Sequence, residues 1–584
     1  MAGCSSTCRS IPSTTHGRGG GDQEIAVTTP RILVFAACAA CAGATVPPVR
    51  FANAPIATAV DDRLDVPKPP AARVTLPSLY NWDGAIQRRA ERALELPRSR
   101  RALGVNALDE VPDSTWFTNR IGVRALSPDE VRRGPATDDS PELHKPWTVH
   151  STKPGGASTG FLITDARGIK YLLKFDDTGS PEIETGFDIV VNRLLWAVGY
   201  NVPEDHVVYF RDDDLVVDKN AIIKDTDGSS LGPLDREGML AGLAKVDHGR
   251  DGWVRGVVSR WIAGKTLGGH PGEGVRADDP NDRIPHELRR DLRGAYSIFA
   301  WVDHVDIAEG NFVDTWVADP ADPDRHYLEH YFIDFGRSLG AMAYFQFDWR
   351  RGHMYLLDFT QIGWQLVTLG LAPRPWIDRP IDLTKNVGMF DADTFDPGGW
   401  HPDWASYLPL RTADRYDKFW GAKLVARFTR EQIAAAVDAA RLSDRKAAAY
   451  VVDTLVARQH ETAAYWFARV NPIDGFAAGA ADGDDLELCF DDLAIGNHLV
   501  EAAATRYALA TWDFGGRPVA VPTAVAAGGG RSCARVRGAA RDDDTGYTIV
   551  RVDTVRARFA GTTYVHVGRD PITAAPRVIG VWRP

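Results

Sequence analysis

The period of the hydrophobic positions changes several times along the chain, and each change marks an element. Residues 147–150 are strand-like, and FLIT (161–164) and IKYLLKF (169–175) form a hairpin through the turn DARG (165–168). In residues 185–198, Phe187, Val190, Val191, Leu194, Leu195 and Val198 recur on one helical face, and Gly199 supplies a stop. VPEDHVVYF (202–210) and DLVVD (214–218) return to strand patterning. Beyond SRWIAGKTLGG the chain turns helical. A helix at 287–301 is entered through Pro285, and a capping box of Thr429 and Gln432 opens one reaching about Arg441. Ser443 is the expected cap of a last helix running towards Val470. NPIDGFAAGAADGDD (471–485) reads as a linker. After it LELCF, RYALATW, RSCARV, YTIVRV, TYVHV and RVIGVW predict a small all-β sandwich. The expected fold is α+β, a β-rich lobe followed by a helical lobe and an all-β domain.

The N-terminal part reads differently. RILVFAACAACAGATV (31–46) is a basic residue followed by about fifteen apolar or small ones. That fits a secretory h-region and falls short of the ~20 residues of a membrane span. Cys38 and Cys41 are candidate lipidation sites, although neither has the usual Leu three positions earlier. The chain is therefore expected to be exported, to the periplasm or the cell envelope, with residues 1–46 as leader. An extended arm (47–145), Pro-rich over residues 47–80, should dock on the core, with a short helical pattern from Asp83 to Leu96. The further segments are a β lobe (146–265), a helical lobe (266–472) and the β domain (476–584). A net charge of −11 argues against a nucleic-acid partner. Cys489 and Cys533 are either a disulfide or two buried thiols, and no cysteine–histidine spacing makes a zinc site.

Four features carry chemistry. Gly155, Gly156 and Gly160 lie in a Gly/Ser/Thr loop between strands, where backbone amides can approach an anion. Lys174 ends the next strand. Glu182, Glu184 and Asp188 open the helix after it. Asp306 and Asn311 stand in HVDIAEGN (304–311), and Asp334 ends the apolar strand in YFIDFG. Phosphoryl transfer needs these parts in this order: an amide cradle, a lysine held by a carboxylate, a carboxylate that orients the acceptor hydroxyl, and oxygen ligands for Mg²⁺. Each part alone is weak; the triplet His304, Asp306, Asn311 followed by Asp-Phe-Gly is not. His304 reads as a structural hydrogen-bonder.

This pattern resembles the protein-kinase-like superfamily over residues 146–470, with HipA-type kinases, aminoglycoside phosphotransferases and phosphatidylinositol kinases as the nearest arms. GFDIVVNRLLWAVGYNVPE (186–204) is similar to the HipA-type helix-to-strand segment, and SRWIAGKTLGG to the hinge between lobes. The resemblance implies that Gly155–Gly160 cover the phosphates of ATP and Lys174 pairs with them. It also implies that Asp306 is the base and that Asn311 and Asp334 hold Mg²⁺. Two departures matter. The lysine partner is a shorter Asp188, which leaves Glu184 as an alternative. Asp334 follows Asp306 by 28 positions (334 − 306), which implies an inserted hairpin around ADPADPDRHY; no Ala-Pro-Glu follows. DEVPDS-WFTNR (109–120) and PHE-RR-LRG (285–294) also resemble stretches of uncharacterised bacterial exported proteins.

Three functions compete. The first is an exported phosphotransferase moving the ATP γ-phosphate to an unidentified hydroxyl. The second is an inactive kinase fold serving as a ligand- or protein-binding module at the envelope. The third is an interaction protein working through exposed β-domain aromatics, with Trp512 and Tyr564 as candidates, although most such aromatics are core. Trp301, Trp316 and Trp364 are expected to pack in the helical lobe.

Overall fold

The first lobe grows out of alternating burial. β1 (Trp147–Thr152) buries Trp147, Val149 and Ser151 and leaves the residues between them half-buried, the period of a strand. It is followed by β2 (Gly160–Thr164), β3 (Lys170–Lys174), helix α1 (Ile183–Val198), β4 (Asp205–Phe210), β5 (Leu215–Lys224), β6 (Ser230–Pro233) and β7 (Val254–Arg260). The sheet order is β4-β7-β3-β2-β1-β5-β6. All neighbours are antiparallel except β1 and β5. One face of the sheet buries Trp147, Phe161, Ile163, Tyr171, Leu173, Phe210 and Val258. Helix α1 packs on β4 and β7. Its apolar stripe was visible in the sequence. All of the rest of the helix but the half-buried Trp196 is buried too, including Asp188, Asn192 and Arg193, because it is wedged between the two lobes.

The second lobe holds α2 (Arg290–Trp301), then a hairpin of β9 (Phe312–Asp319) and β10 (Asp322–Phe332), with the short β8 (Lys265–Thr266) on the free edge of β9. This hairpin is the insertion that separates Asp306 from Asp334. Next come α3 (Phe359–Val367), α4 (Arg415–Val425), α5 (Arg430–Ala439) and α6 (Arg445–Phe467). Helix α5 starts on the expected Thr429–Gln432 capping box. The cap of α6 is Asp444, not Ser443: its carboxylate accepts from the Lys446 amide at 2.8 Å. Trp301 is core and donates to the Leu455 carbonyl.

The described residues are 49–584 of a computed structural model, apart from 74–81, 89, 91–99, 138, 155–158, 226–227, 250, 347–349, 375, 377–386, 540–545 and the side chains of 85 and 344–346. The leader reading, Cys38 and Cys41 therefore lie outside them. So do Gly155, Gly156 and much of the helical pattern expected after Asp83. Val49–Pro584 forms one compact unit.

The C-terminal domain is a two-sheet sandwich. Its strands are β11 (Ile473–Ala480), β12 (Asp485–Asp492), β13 (Arg506–Asp513), β14 (Thr523–Ala526), β15 (Arg531–Arg537), β16 (Thr548–Val555), β17 (Gly561–Arg569) and β18 (Pro576–Trp582). The sheets are β11-β12-β15 and β14-β13-β16-β17-β18. Leu486, Leu488 and Phe490 of one meet Tyr507, Leu509, Val550 and Val565 of the other. Two expectations are corrected here and one alternative is resolved. The 471–485 segment is mostly strand β11, whose Gly/Ala content suits a partly exposed sheet edge. Trp512 and Tyr564 are core residues, 3 % and 7 % exposed, so they form no binding face. Cys489 and Cys533 are directly opposite on β12 and β15 and are disulfide-bonded, which settles the alternative left by the sequence.

The Pro-rich arm laces these parts together. Phe51 and Asn53 bond to the β domain through Tyr547 Oη (3.0 Å) and the Arg569 carbonyl (2.8 Å). Val66 pairs with His326 of the hairpin, and Trp316 Nε1 donates to the Val66 carbonyl. The DEVPDS and RR-LRG stretches meet in a buried ionic network. Asp109 contacts Arg290 (3.0 Å) and Arg583 (3.2 Å). Asp417 contacts Arg290 (2.7 Å) and Arg293. Lys423 contacts Glu110 and Asp474, and Arg583 reaches Asp474 at 2.8 Å. These motifs therefore tie arm, helical lobe and β domain to one another.

Candidate functional site

Strand alternation sends Tyr171 and Leu173 into the lobe core and leaves Lys174 on the opposite face, towards α1. Its ammonium donates to Asp188 Oδ2 at 3.1 Å and to Asp334 Oδ1 at 2.8 Å. Burial alone would lower the Lys174 pKa; Asp188 and Asp334 outweigh it and hold the group well above its ordinary value. Asp334, in turn, is held well below the carboxylate range, chiefly by Lys174. It has a left-handed φ of 65°, an uncommon conformation for a non-glycine residue. Its side chain stays 39 % exposed, whereas Lys174 and Asp188 are buried. The exposed carboxylate therefore faces the cleft.

Glu184 is not the lysine partner. It pairs with Arg337 at 3.2 Å, and burial raises its pKa to about 7. Gly336 makes that approach feasible, since a Cβ there would stand 2.5 Å from Glu184 Cγ. Gly160 is the first residue of β2, directly opposite Lys174, rather than part of the loop. A Cβ on it would meet the Leu173 carbonyl at 2.5 Å, so glycine is needed there for strand contact.

Asp306 and Asn311 occupy the turn between α2 and β9. Asn311 Nδ2 donates to the Asp306 carbonyl at 2.6 Å, which fixes the turn. Burial, then Asp334, raises the Asp306 pKa. His304 is buried with Nδ1 on Ser338 Oγ at 2.9 Å, and burial pushes its pKa down to about 4. It is a neutral hydrogen-bonder, as expected.

Between the lobes lies a cavity of about 260 Å³. Leu162 and Leu172 line it from the sheet, Trp261 and Ile262 from the segment after β7, and Val313 and Ile333 from the hairpin. Lys153, Lys174, Lys224, Arg260 and Asp334 supply its charged groups. An apolar slot with a few convergent charges is the usual form of a small-molecule site.

A second cluster was not visible in the sequence. His270, Asp314 and His330 are buried, and their ligand atoms lie within 4.8 Å of one another. His330 Nδ1 is 2.7 Å and His270 Nδ1 3.6 Å from Asp314 Oδ1; Arg276 holds the other oxygen at 3.2 Å. The geometry is consistent with metal ligation, and two imidazoles suit Zn²⁺ better than Mg²⁺. Trp116 of the arm stacks on His330 at 3.5 Å. Asp314 and His330 face each other in the hairpin register; counting that register is the one signal that would have found them.

No family model matches the chain, and no curated protein sequence matches it. Among solved structures, one similar chain is the Rio2 kinase of Chaetomium thermophilum, in its ADP/Mg²⁺-phosphoaspartate complex. The identity is 15 %, over 50 % of this chain and 71 % of that one, with a TM-score of 0.18. A likeness at that score carries no argument about the chemistry of this cleft.

Proposed function

We propose that the chain is an ATP-dependent phosphotransferase built on a kinase-like cleft. The observation that carries this reading is Lys174, which bridges Asp188 and Asp334 at the charged end of the apolar interlobe cavity. Leu162, Leu172, Val313 and Ile333 suit a flat base, and Lys174 would meet the phosphates next to it. Asp334 and the Asn311 side-chain oxygen are the hard ligands a divalent cation takes. Bound Mg²⁺ would neutralise phosphate charge. Asp306, with its pKa raised by burial, would orient the acceptor hydroxyl and take its proton. The acceptor is an unidentified hydroxyl of a protein or small molecule.

Export to the cell envelope, through residues 31–46 and lipidation at Cys38 or Cys41, belongs to the same proposal. The Cys489–Cys533 bond supports it, because disulfides persist in oxidising compartments. The same bond favours a second reading, a non-catalytic kinase fold that binds a ligand at the envelope, where ATP is scarce. The two part on one experiment. Release of ADP from Mg²⁺-ATP is measured for the full chain and for Asp306→Asn. A loss of 10² or more in the variant is expected of a general base. Equal rates in both proteins would remove Asp306 from the chemistry and leave the binding module.

A further inference from the structure

Helix α3 has no buried residue. With the turn after it, it exposes Phe359, Ile362, Trp364, Leu366, Val367, Leu369 and Leu371, the last four at 70, 78, 87 and 84 %. Trp364, expected in the core, is 57 % exposed. Residues 359–373 (FTQIGWQLVTLGLAP) contain no charged side chain, while exposed Arg350 and Arg374 stand on either side. Phe359, Ile362, Leu366 and Val367 share one side of the helix, and the other carries only uncharged polar groups, Thr360, Gln361 and Gln365, beside Trp364. A tryptophan, an uncharged apolar projection and flanking arginines match an acyl–headgroup boundary with anionic lipid. Among the described residues no helix is long and apolar enough to cross a membrane, and nine residues cannot. Such an element enters one leaflet.

Its mounting is firm. The Asp403 amide donates to the Val305 carbonyl at 2.9 Å, and the Leu356 amide to the Asp403 carbonyl at 2.9 Å. Asp358 then caps the helix on the Gln361 amide at 3.0 Å. The apolar projection is thus tethered to the turn that carries Asp306.

We infer that residues 359–371 insert into the interface of an anionic bilayer and seat the catalytic-loop side of the cleft against lipid. The inference stands whether or not the cleft transfers phosphate. The test uses the full chain with Cys4, Cys8, Cys38 and Cys41 changed to alanine and an environment-sensitive fluorophore on Leu369→Cys, an exposed position. Vesicles of phosphatidylethanolamine and phosphatidylglycerol are added. The expected result is a blue-shifted emission that is quenched by nitroxides on the lipid chains. Adding Leu366→Asp, Val367→Asp and Leu371→Asp should reduce that response at least tenfold without moving the melting temperature. A label that stays in water, on vesicle-bound or unbound protein, overturns the inference. So does a blue shift that grows with protein concentration in the absence of vesicles, which would assign the face to a second copy.

Discussion

Asp109→Asn is the sharpest perturbation of the scaffold that holds the cleft. Asp109 has a φ of 64°, and asparagine tolerates that conformation as well as aspartate does. The change therefore removes charge without adding backbone strain. What it removes is the partner of two arginines whose side chains are 2 % and 1 % exposed, Arg290 and Arg583. Around them five carboxylates (Asp109, Glu110, Asp414, Asp417, Asp474) surround four cations (Arg290, Arg293, Lys423, Arg583). Breaking a fully buried pair typically costs about 3–5 kcal/mol. Asp109 keeps 15 % exposure and the amide oxygen can still accept a hydrogen bond, so the expected loss is about 2–4 kcal/mol. Urea unfolding of the full chain, followed by circular dichroism, measures it. The pH dependence adds a signature. Burial alone would raise the Asp109 pKa, but Arg290 and Arg583 outweigh it and lower the value. Its contribution is therefore complete above the ordinary carboxylate range and is lost as pH falls below about 4 through the lowered folded value. The variant should lack that acid-side loss. A change under about 0.5 kcal/mol, the scale of exposed ion pairs, would refute the idea that this network holds the arm.

Other outcomes follow from the same geometry. Glu184 and Asp403 both have pKa values raised to about 7 by burial. A raised carboxyl costs nothing below its unfolded value and its full penalty above its folded one, so stability should increase as pH falls from about 7 to 4.5. Glu184→Gln should abolish about one proton of that uptake, a difference on the order of 3 kcal/mol at pH 8, read from urea midpoints at pH 5 and 8; an unchanged pH slope would remove Glu184 as its source. Replacing Cys489 and Cys533 with serine opens a loop of 44 residues. Chain entropy puts the cost at about 4 kcal/mol, visible as earlier unfolding of the β domain. Equal midpoints with and without reductant would contradict that.

How much of this was legible depends on range. Lys174, Asp306, Asn311 and Asp334 each end or follow an apolar strand or helix, so local period was enough to place them. Choosing Asp188 over Glu184 was not local: both lie on one face of α1, and only Arg337, more than 150 positions away, decides which carboxylate it claims. The His270–Asp314–His330 cluster draws on three separate segments. Whether Trp512 and Tyr564 are core or surface stayed open because a single strand does not reveal which face the second sheet covers. Trp364 was expected in the core for the same reason in reverse: only packing shows that no described residue buries any position of α3.

The most direct test of the account is calorimetric titration of the full chain with ATP, with and without Mg²⁺, beside Asp334→Asn and Lys174→Met. The account predicts saturable binding that needs Mg²⁺, is lost in Asp334→Asn, and weakens at least tenfold in Lys174→Met while both variants stay folded. Absence of binding in the parent chain, or binding indifferent to Mg²⁺ and to both substitutions, would contradict it.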